Sequence, residues 1–105
     1  MMLVFSTFPT DEKAREIVRV LVEERAIACG NILPGVASIY RWKGEVREET
    51  EVLALLKVSR NAYGHLQKRL RELHPYEVPE IVAIAVDSGL PEYLDWVREN
   101  CRRLR

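Results

Sequence analysis

The stretch VASIYRWKGEVREETEVLALLKV, residues 36–58, gives the strongest indication of how this chain folds. Every second position from Val36 to Trp42 shares one face of a predicted strand, and the pattern alternates again from Val46 to Val58. Between them, Lys43-Gly44 supplies a tight turn, because glycine adopts a positive φ without steric cost. The stretch therefore predicts a β-hairpin with two long strands.

The predicted hairpin is too long for one small domain. At ~3.3 Å per residue its second strand would extend ~43 Å if straight, whereas a sphere with the mass of a compact chain of this length is only ~33 Å across. The far part of the hairpin still carries apolar side chains such as Ile39 and Val46, which would invite aggregation if left exposed. We expect a closed cyclic assembly to cover them. Alternatively, a bulge at Pro34-Gly35 bends the hairpin back over its own helices.

Three helices and two more strands are predicted outside the hairpin stretch. Before the hairpin, apolar periodicities and capping residues predict a strand from Met2 to Phe8 covered on both faces, a helix capped by Thr10, and a bent first hairpin strand that begins at Ala28. After the hairpin, they predict a helix capped by Ser59 that buries Ala62, Leu66, Leu70 and Leu73, followed by a strand from Ile81 to Val86. A last helix is predicted to start at Pro91 and to turn Leu94, Val97, Cys101 and Leu104 inward.

The order of these elements is β-α-β-β-α-β with one helix appended. This is the split βαβ arrangement of ferredoxin-like domains, in the α+β class. No linker or repeat interrupts the chain, so residues 1–105 are predicted to form a single domain.

Charge and composition exclude several classes of partner. The 105 residues include 16 basic and 16 acidic ones, so no field of one sign is available to bind nucleic acid. The basic run from Arg102 to Arg105 suits the carbonyl end of a terminal helix. No apolar run approaches the ~20 residues that span a bilayer, and no basic leader opens the sequence. We therefore expect a cytoplasmic protein without a membrane contact.

The use of cysteines and amides adds two expectations. Cys29 and Cys101 fall in different predicted elements without metal-type spacing, so both are predicted to remain free thiols. Asparagine and glutamine are scarce, whereas Glu and Arg are abundant. This bias indicates a heat-adapted, thermostable protein.

The stretch HPYEVPEI, residues 74–81, carries the strongest cluster of reactive side chains. One interpretation is structural, because Pro75 and Pro79 would fix an extended corner after a helix that ends near His74. The other is functional, because an imidazole, a phenol and two carboxylates lie within seven residues. The sequence leaves the two interpretations equally open.

Other candidate residues also have two interpretations. A metal ion could use His74, Glu77 and Glu80, with Cys29 or Glu51 brought near only by the fold. Lys57 either pairs with an anionic ligand or extends its stem to water. Cys29 acts as a small apolar residue or as a thiolate, and Trp42 acts as a hairpin anchor or as a stacking platform.

The sequence resembles the CutA family of divalent-cation tolerance proteins in three separate stretches. These are ACGNILPG at residues 28–35, SIYRWKGEV at 38–46 leading into EVLALLK at 51–57, and HPYEVPEI itself. The resemblance implies a ferredoxin-like protomer, a tightly packed homotrimer similar to PII signalling proteins, and a bacterial cytosolic location. It also implies an involvement in tolerance of copper and other divalent metal ions.

The resemblance also implies a set of site residues in a cleft between subunits, with His74 as the metal ligand. They are Cys29, Trp42, Lys57, His74, Tyr76 and Glu77. This chain departs from some family members at Ser6 and Leu73, where those members carry a cysteine and a second histidine, and at Val58, where a threonine is frequent. A copper site built from those groups would lack two of its stronger ligands here.

The leading functional hypothesis is a non-enzymatic trimeric protein that binds a divalent metal ion such as copper, or a small ligand, at its subunit clefts. A second hypothesis is a PII-like signalling or scaffolding trimer that presents its hairpins or terminal helices to an unidentified protein partner. A third is an enzyme that uses Lys57, His74 and Glu77 on a small anionic substrate.

Overall fold

The computed structural model describes residues 1–102 and contains the predicted order of elements. These are β1 (Met2–Phe8), α1 (Asp11–Glu23), β2 (Cys29–Trp42), β3 (Glu45–Val58), α2 (Tyr63–Leu73), β4 (Val82–Ala85) and α3 (Pro91–Glu99). Residues 103–105, including the predicted inward position of Leu104 and most of the basic run, lie outside the described residues.

The four strands form one antiparallel sheet in the order β2-β3-β1-β4. Strand β3 lies between β1 and β2, so the two strands joined by α1 are not neighbours. This is the split βαβ arrangement that the element order predicted. The α+β, ferredoxin-like prediction is confirmed.

The β2–β3 hairpin is long and extended. Lys43 and Gly44 both have positive φ, 50° and 80°, as a two-residue hairpin turn requires. The pairing register shifts between Leu33 and Val36, which confirms the bulge predicted at Pro34-Gly35. The chain is 44 Å long but only 26 and 23 Å in the other two directions. Ile39 and Val46 are each 66% exposed, so the hairpin does not bend back over its own helices.

Helices α1 and α2 share one hydrophobic core with one face of the sheet. Thr10 caps α1 as predicted, since its hydroxyl accepts a hydrogen bond from the amide of Lys13 at 3.1 Å. A two-pronged ion pair joins the helices, with Arg69 Nε and Nη2 at 2.8 and 2.7 Å from the Glu24 carboxylate oxygens. The largest fully buried side chains are Phe8, Leu21, Ile27, Leu56, Leu66 and Leu70.

The opposite face of the sheet, which we call the open face, remains apolar and accessible. The strand registers place many apolar side chains there, including Leu3, Phe5, Leu33, Val36, Leu53, Leu55, Val82 and Ile84. Val82 and Ile84 are each 53% exposed, and Leu33 is 41% exposed. Contiguous apolar patches of this kind are uncommon on the surfaces of monomeric proteins.

Three details differ from the sequence prediction. Strand β1 is fully covered on one face only, because α1 and α2 bury Val4 and Phe8 while Leu3 and Phe5 stay half-buried on the open face. Helix α2 begins at Tyr63 rather than directly after Ser59, because the Ser59 hydroxyl caps a preceding turn by accepting from the amide of Ala62.

The third difference is the length of β4, which pairs only from Val82 to Ala85. Pro79 precedes it and Asp87-Ser88-Gly89 follows it, so the paired segment is short. The start of α3 at Pro91 is confirmed, and Val97 is buried while Leu94 is half-buried. No helix within residues 1–102 has the length and apolar content that crossing a bilayer requires.

Candidate functional site

The stretch of residues 74–81 forms a corner that leads from α2 to β4. The helix ends at Leu73, and His74 has extended backbone angles, φ −70° and ψ 135°, as expected for a residue before proline. Its amide donates to the carbonyl of Leu70 at 2.9 Å. The backbone part of the structural interpretation is therefore correct.

The side chain of His74 is held by hydrogen bonds at both ring nitrogens. Nδ1 accepts from the amide of Tyr76 at 3.2 Å, so Nε2 carries the proton and donates it to the carbonyl of Thr7 at 2.9 Å. The residue is 8% exposed. Burial lowers the pKa of His74, although the Thr7 carbonyl and the Glu51 carboxylate oppose this shift. His74 is therefore a neutral residue that joins the corner to β1.

Tyr76 extends this network to the hairpin. Its hydroxyl donates to Glu51 Oε2 at 2.6 Å, and Glu51 is itself only 8% exposed. Burial, and then the hydrogen bond to Glu51, raises the pKa of Tyr76 well above its usual range. The phenol therefore keeps its proton and orients a buried carboxylate on β3.

A cavity of about 500 Å³ lies between the corner and the hairpin. This volume suits a small ligand. Three of the residues predicted for the site, Trp42, Tyr76 and Glu77, line it together. Its other titratable lining residues are Tyr40, Arg47, Glu49, Glu51 and Glu80.

The remaining predicted site residues lie elsewhere in the chain. Cys29 pairs with Lys57 across β2 and β3 on the open face. The Cys29 thiol lies 3.5 Å from the Tyr93 hydroxyl, a contact that with burial raises the pKa of Tyr93 to about 12. Lys57 donates to the side-chain oxygen of Asn31. At ~3.3 Å per residue, Lys57 lies ~20 Å along β3 from Glu51, so one chain does not unite the two groups.

The described residues of one chain do not fit a metal ion. Within residues 1–102, no group of three or more His, Cys, Asp or Glu side chains has a metal-binding arrangement. His74, the predicted metal ligand, already uses both ring nitrogens within the chain. A metal-bound imidazole needs one of them free.

Two of the three departures from the family pattern, at Ser6 and Leu73, have structural explanations. Ser6 lies on the core face of β1, fully buried, and its hydroxyl has no hydrogen-bond partner within the described residues. Leu73 is half-buried and packs against the core. Both positions thus serve packing in this chain.

Sequence reasoning missed most of the cavity wall. The sequence predicts Glu51 only as a distant metal ligand and does not mark Glu49 or Tyr40 as site residues. The signal was present in the two-residue period of the strands, because Glu49 and Glu51 share a face of β3 and Tyr40 pairs with Arg47 on that side. The sequence does not predict that Tyr76 lies over this face, because that placement depends on the tertiary structure.

The family model described as CutA1 divalent ion tolerance protein matches residues 2–100. The chain belongs to this CutA family. The family's divalent-cation tolerance protein CutA from Thermus thermophilus is 54% identical over 98 residues, covering 93% of this chain and 95% of the relative. Protein CutA from Mus musculus is 43% identical over 95 residues, which are 90% of this chain but only 54% of the longer mouse protein.

The fold also matches solved structures of the CutA family. The PII-like protein CutA from a Nostoc species superposes with a TM-score of 0.92 at 45% identity, covering 97% of this chain and 98% of that chain. The resemblance drawn from three sequence stretches is therefore confirmed over nearly the whole chain, and so is the likeness to PII-type folds.

Proposed function

We propose that this CutA-family chain forms a non-enzymatic homotrimer in the cytoplasm that contributes to tolerance of divalent metal ions such as copper. The exposure of the open face supports this assembly, because Val82 and Ile84 are more than half exposed there beside other apolar side chains. A closed ring of chains would bury this face without leaving a free edge for further growth. Family membership supports the role in tolerance.

The ligand site of this trimer would lie in clefts between subunits. Cys29 and Lys57 are ~20 Å from the cavity that Trp42, Tyr76 and Glu77 line, so a site containing both groups needs two chains. A metal ion would likewise need ligands from more than one chain, because one chain offers no fitting group within residues 1–102. His74 would then act by holding Tyr76 in place.

A signalling role is the second candidate. The extended hairpin, whose Ile39 and Val46 are 66% exposed, supports it, as does the similarity to a PII-like protein. In this role, the hairpins of the trimer would bind another protein through their exposed apolar side chains.

Growth under copper stress tests the tolerance role. A bacterium that lacks its own CutA-family protein would be complemented with this chain and plated on increasing copper concentrations. We expect the wild type to raise the inhibitory concentration. Unchanged growth at equal expression would contradict the tolerance role. If a variant that does not bind copper in calorimetry protects the cells as well as the wild type does, the signalling role would explain the protection instead.

A further inference from the structure

Glu51 is a buried carboxylate without a cationic partner. It is 8% exposed and lines the cavity, and the one hydrogen bond of its carboxylate within residues 1–102 comes from the Tyr76 hydroxyl. None of the ion pairs in the described part of the chain includes it. Buried carboxylates in proteins are normally paired with a cation, because an unpaired buried charge is costly. Glu51 therefore lacks a positive charge that a ligand would supply.

The walls around Glu51 combine aromatic rings with further negative charge. Tyr40, Trp42 and Tyr76 line the cavity. The carboxylates of Glu49, Glu77 and Glu80 line it as well. Aromatic faces attract organic cations within about 6 Å of the ring centre, and carboxylates bind the same groups by charge-assisted hydrogen bonds.

Arg47 is the one cationic side chain among the described residues that line this cavity, and it forms no ion pair with Glu51. Its guanidinium lies 3.9 Å from Glu45, nearer the hairpin turn. The four glutamates thus outnumber the positive charge, and the cavity has a negative field.

We propose that the cavity binds a small organic cation carrying an alkylammonium group, with Glu51 as its counter-charge and Tyr40, Trp42 and Tyr76 as its apolar walls. The four carboxylates do not converge in an arrangement that holds a metal ion, but a cavity of about 500 Å³ accommodates an alkylammonium chain that contacts them at separate points. This inference names the ligand class of the cleft in the proposed function and rests on that function for its biological setting.

Calorimetry with putrescine tests the ligand class directly. Putrescine carries an ammonium group at each end, and the neutral diol of the same length is its matched control. At physiological salt, we expect putrescine to bind the wild-type assembly and the diol to give no heat. Glu51→Gln keeps the shape of the side chain but removes its charge, and we expect it to weaken putrescine binding at least tenfold.

Two more variants separate a local effect from a general one. Glu48→Gln removes an exposed charge from the opposite face of β3, outside the cavity, and should bind putrescine like the wild type. Trp42→Leu removes an aromatic wall on the hairpin and should weaken binding several-fold. It also keeps the inference testable if Glu51→Gln does not fold.

The outcomes distinguish this inference from the proposed function. No binding of putrescine, or equal binding by wild type and Glu51→Gln, would overturn the inference. If copper alone binds and Glu51→Gln abolishes that binding, the cavity holds a metal and the inference is wrong while the tolerance role stands. If putrescine does not bind and Glu51→Gln lowers trimer stability, a cation from a second chain pairs with Glu51, and the inference is again wrong.

Discussion

The imidazole ring of His74 lies nearly parallel to the phenyl ring of Phe8, with ring centroids 4.6 Å apart and 18° between the planes. Phe8 ends β1 and His74 follows α2, so this stack fixes the corner against the sheet. The two hydrogen bonds of the imidazole, to Thr7 and from Tyr76, are compatible only with the neutral ring. The structure therefore indicates that His74 has a positioning role.

Acidification should weaken the fold through His74. Burial depresses its pKa in the folded chain below the ordinary value of 6.5, so the unfolded chain binds a proton more readily. The contribution of His74 to the free energy of unfolding is complete above about pH 6.5 and declines as the pH falls toward the depressed value. Denaturant unfolding at fixed chain concentration from pH 8 to pH 5 would measure this decline.

His74→Phe should remove that pH dependence and lower stability by about 1–3 kcal/mol at pH 8, because the Thr7 carbonyl and the Tyr76 amide lose their partner while the ring stack remains. His65→Gln removes the other histidine without touching these bonds and should retain the decline. If the stability of His74→Phe changes with pH as that of the wild type does, another group is responsible for the decline.

Ser6→Ala should stabilise the chain by about 1 kcal/mol. The Ser6 hydroxyl is fully buried in the core without a hydrogen-bond partner in the described residues, and burying an unpaired hydroxyl costs free energy. Ser88 is exposed in the segment between β4 and α3, so Ser88→Ala should change stability by less than about 0.5 kcal/mol. Thermal and denaturant melts would compare the two, and a clear loss in Ser6→Ala would show that the hydroxyl is bonded.

Gly30→Ala should destabilise the chain by about 1–3 kcal/mol. A Cβ atom at Gly30 would lie 2.7 Å from Val18 Cγ1 and 3.0 Å from Leu56 Cδ2, inside the packed core. The matched control is Gly64→Ala on α2, where nothing lies within 4 Å of the added atom. That change should stabilise by about 0.5 kcal/mol, because alanine favours the helix. Chemical denaturation of both variants would check the opposite signs.

Most of the fold could be predicted because it is determined by local sequence patterns. Lys43-Gly44 specifies the hairpin turn, and Pro34-Gly35 marks the bulge, through backbone preferences that act within a few residues. The coverage of β1 was predicted less well, since an apolar strand has the same sequence pattern whether its second face meets a helix or a second chain. The half-buried Phe5 shows that difference.

The site was harder to predict than the fold. His74 and Tyr76 stood out as residues, but their partners Thr7 and Glu51 are distant in sequence and belong to two different strands. Only the tertiary structure shows that the imidazole is already saturated with hydrogen bonds. The same structure reveals Glu51 as a buried carboxylate, which an alternating strand pattern does not distinguish from an exposed one.

Sedimentation equilibrium at micromolar chain concentration would show whether the open face and the overhanging hairpin require other copies of the chain. We predict one species with three times the mass of the chain, which persists on dilution. A soluble, folded species with the mass of a single chain would contradict it, because the accessible apolar side chains of the sheet would then be stable in water.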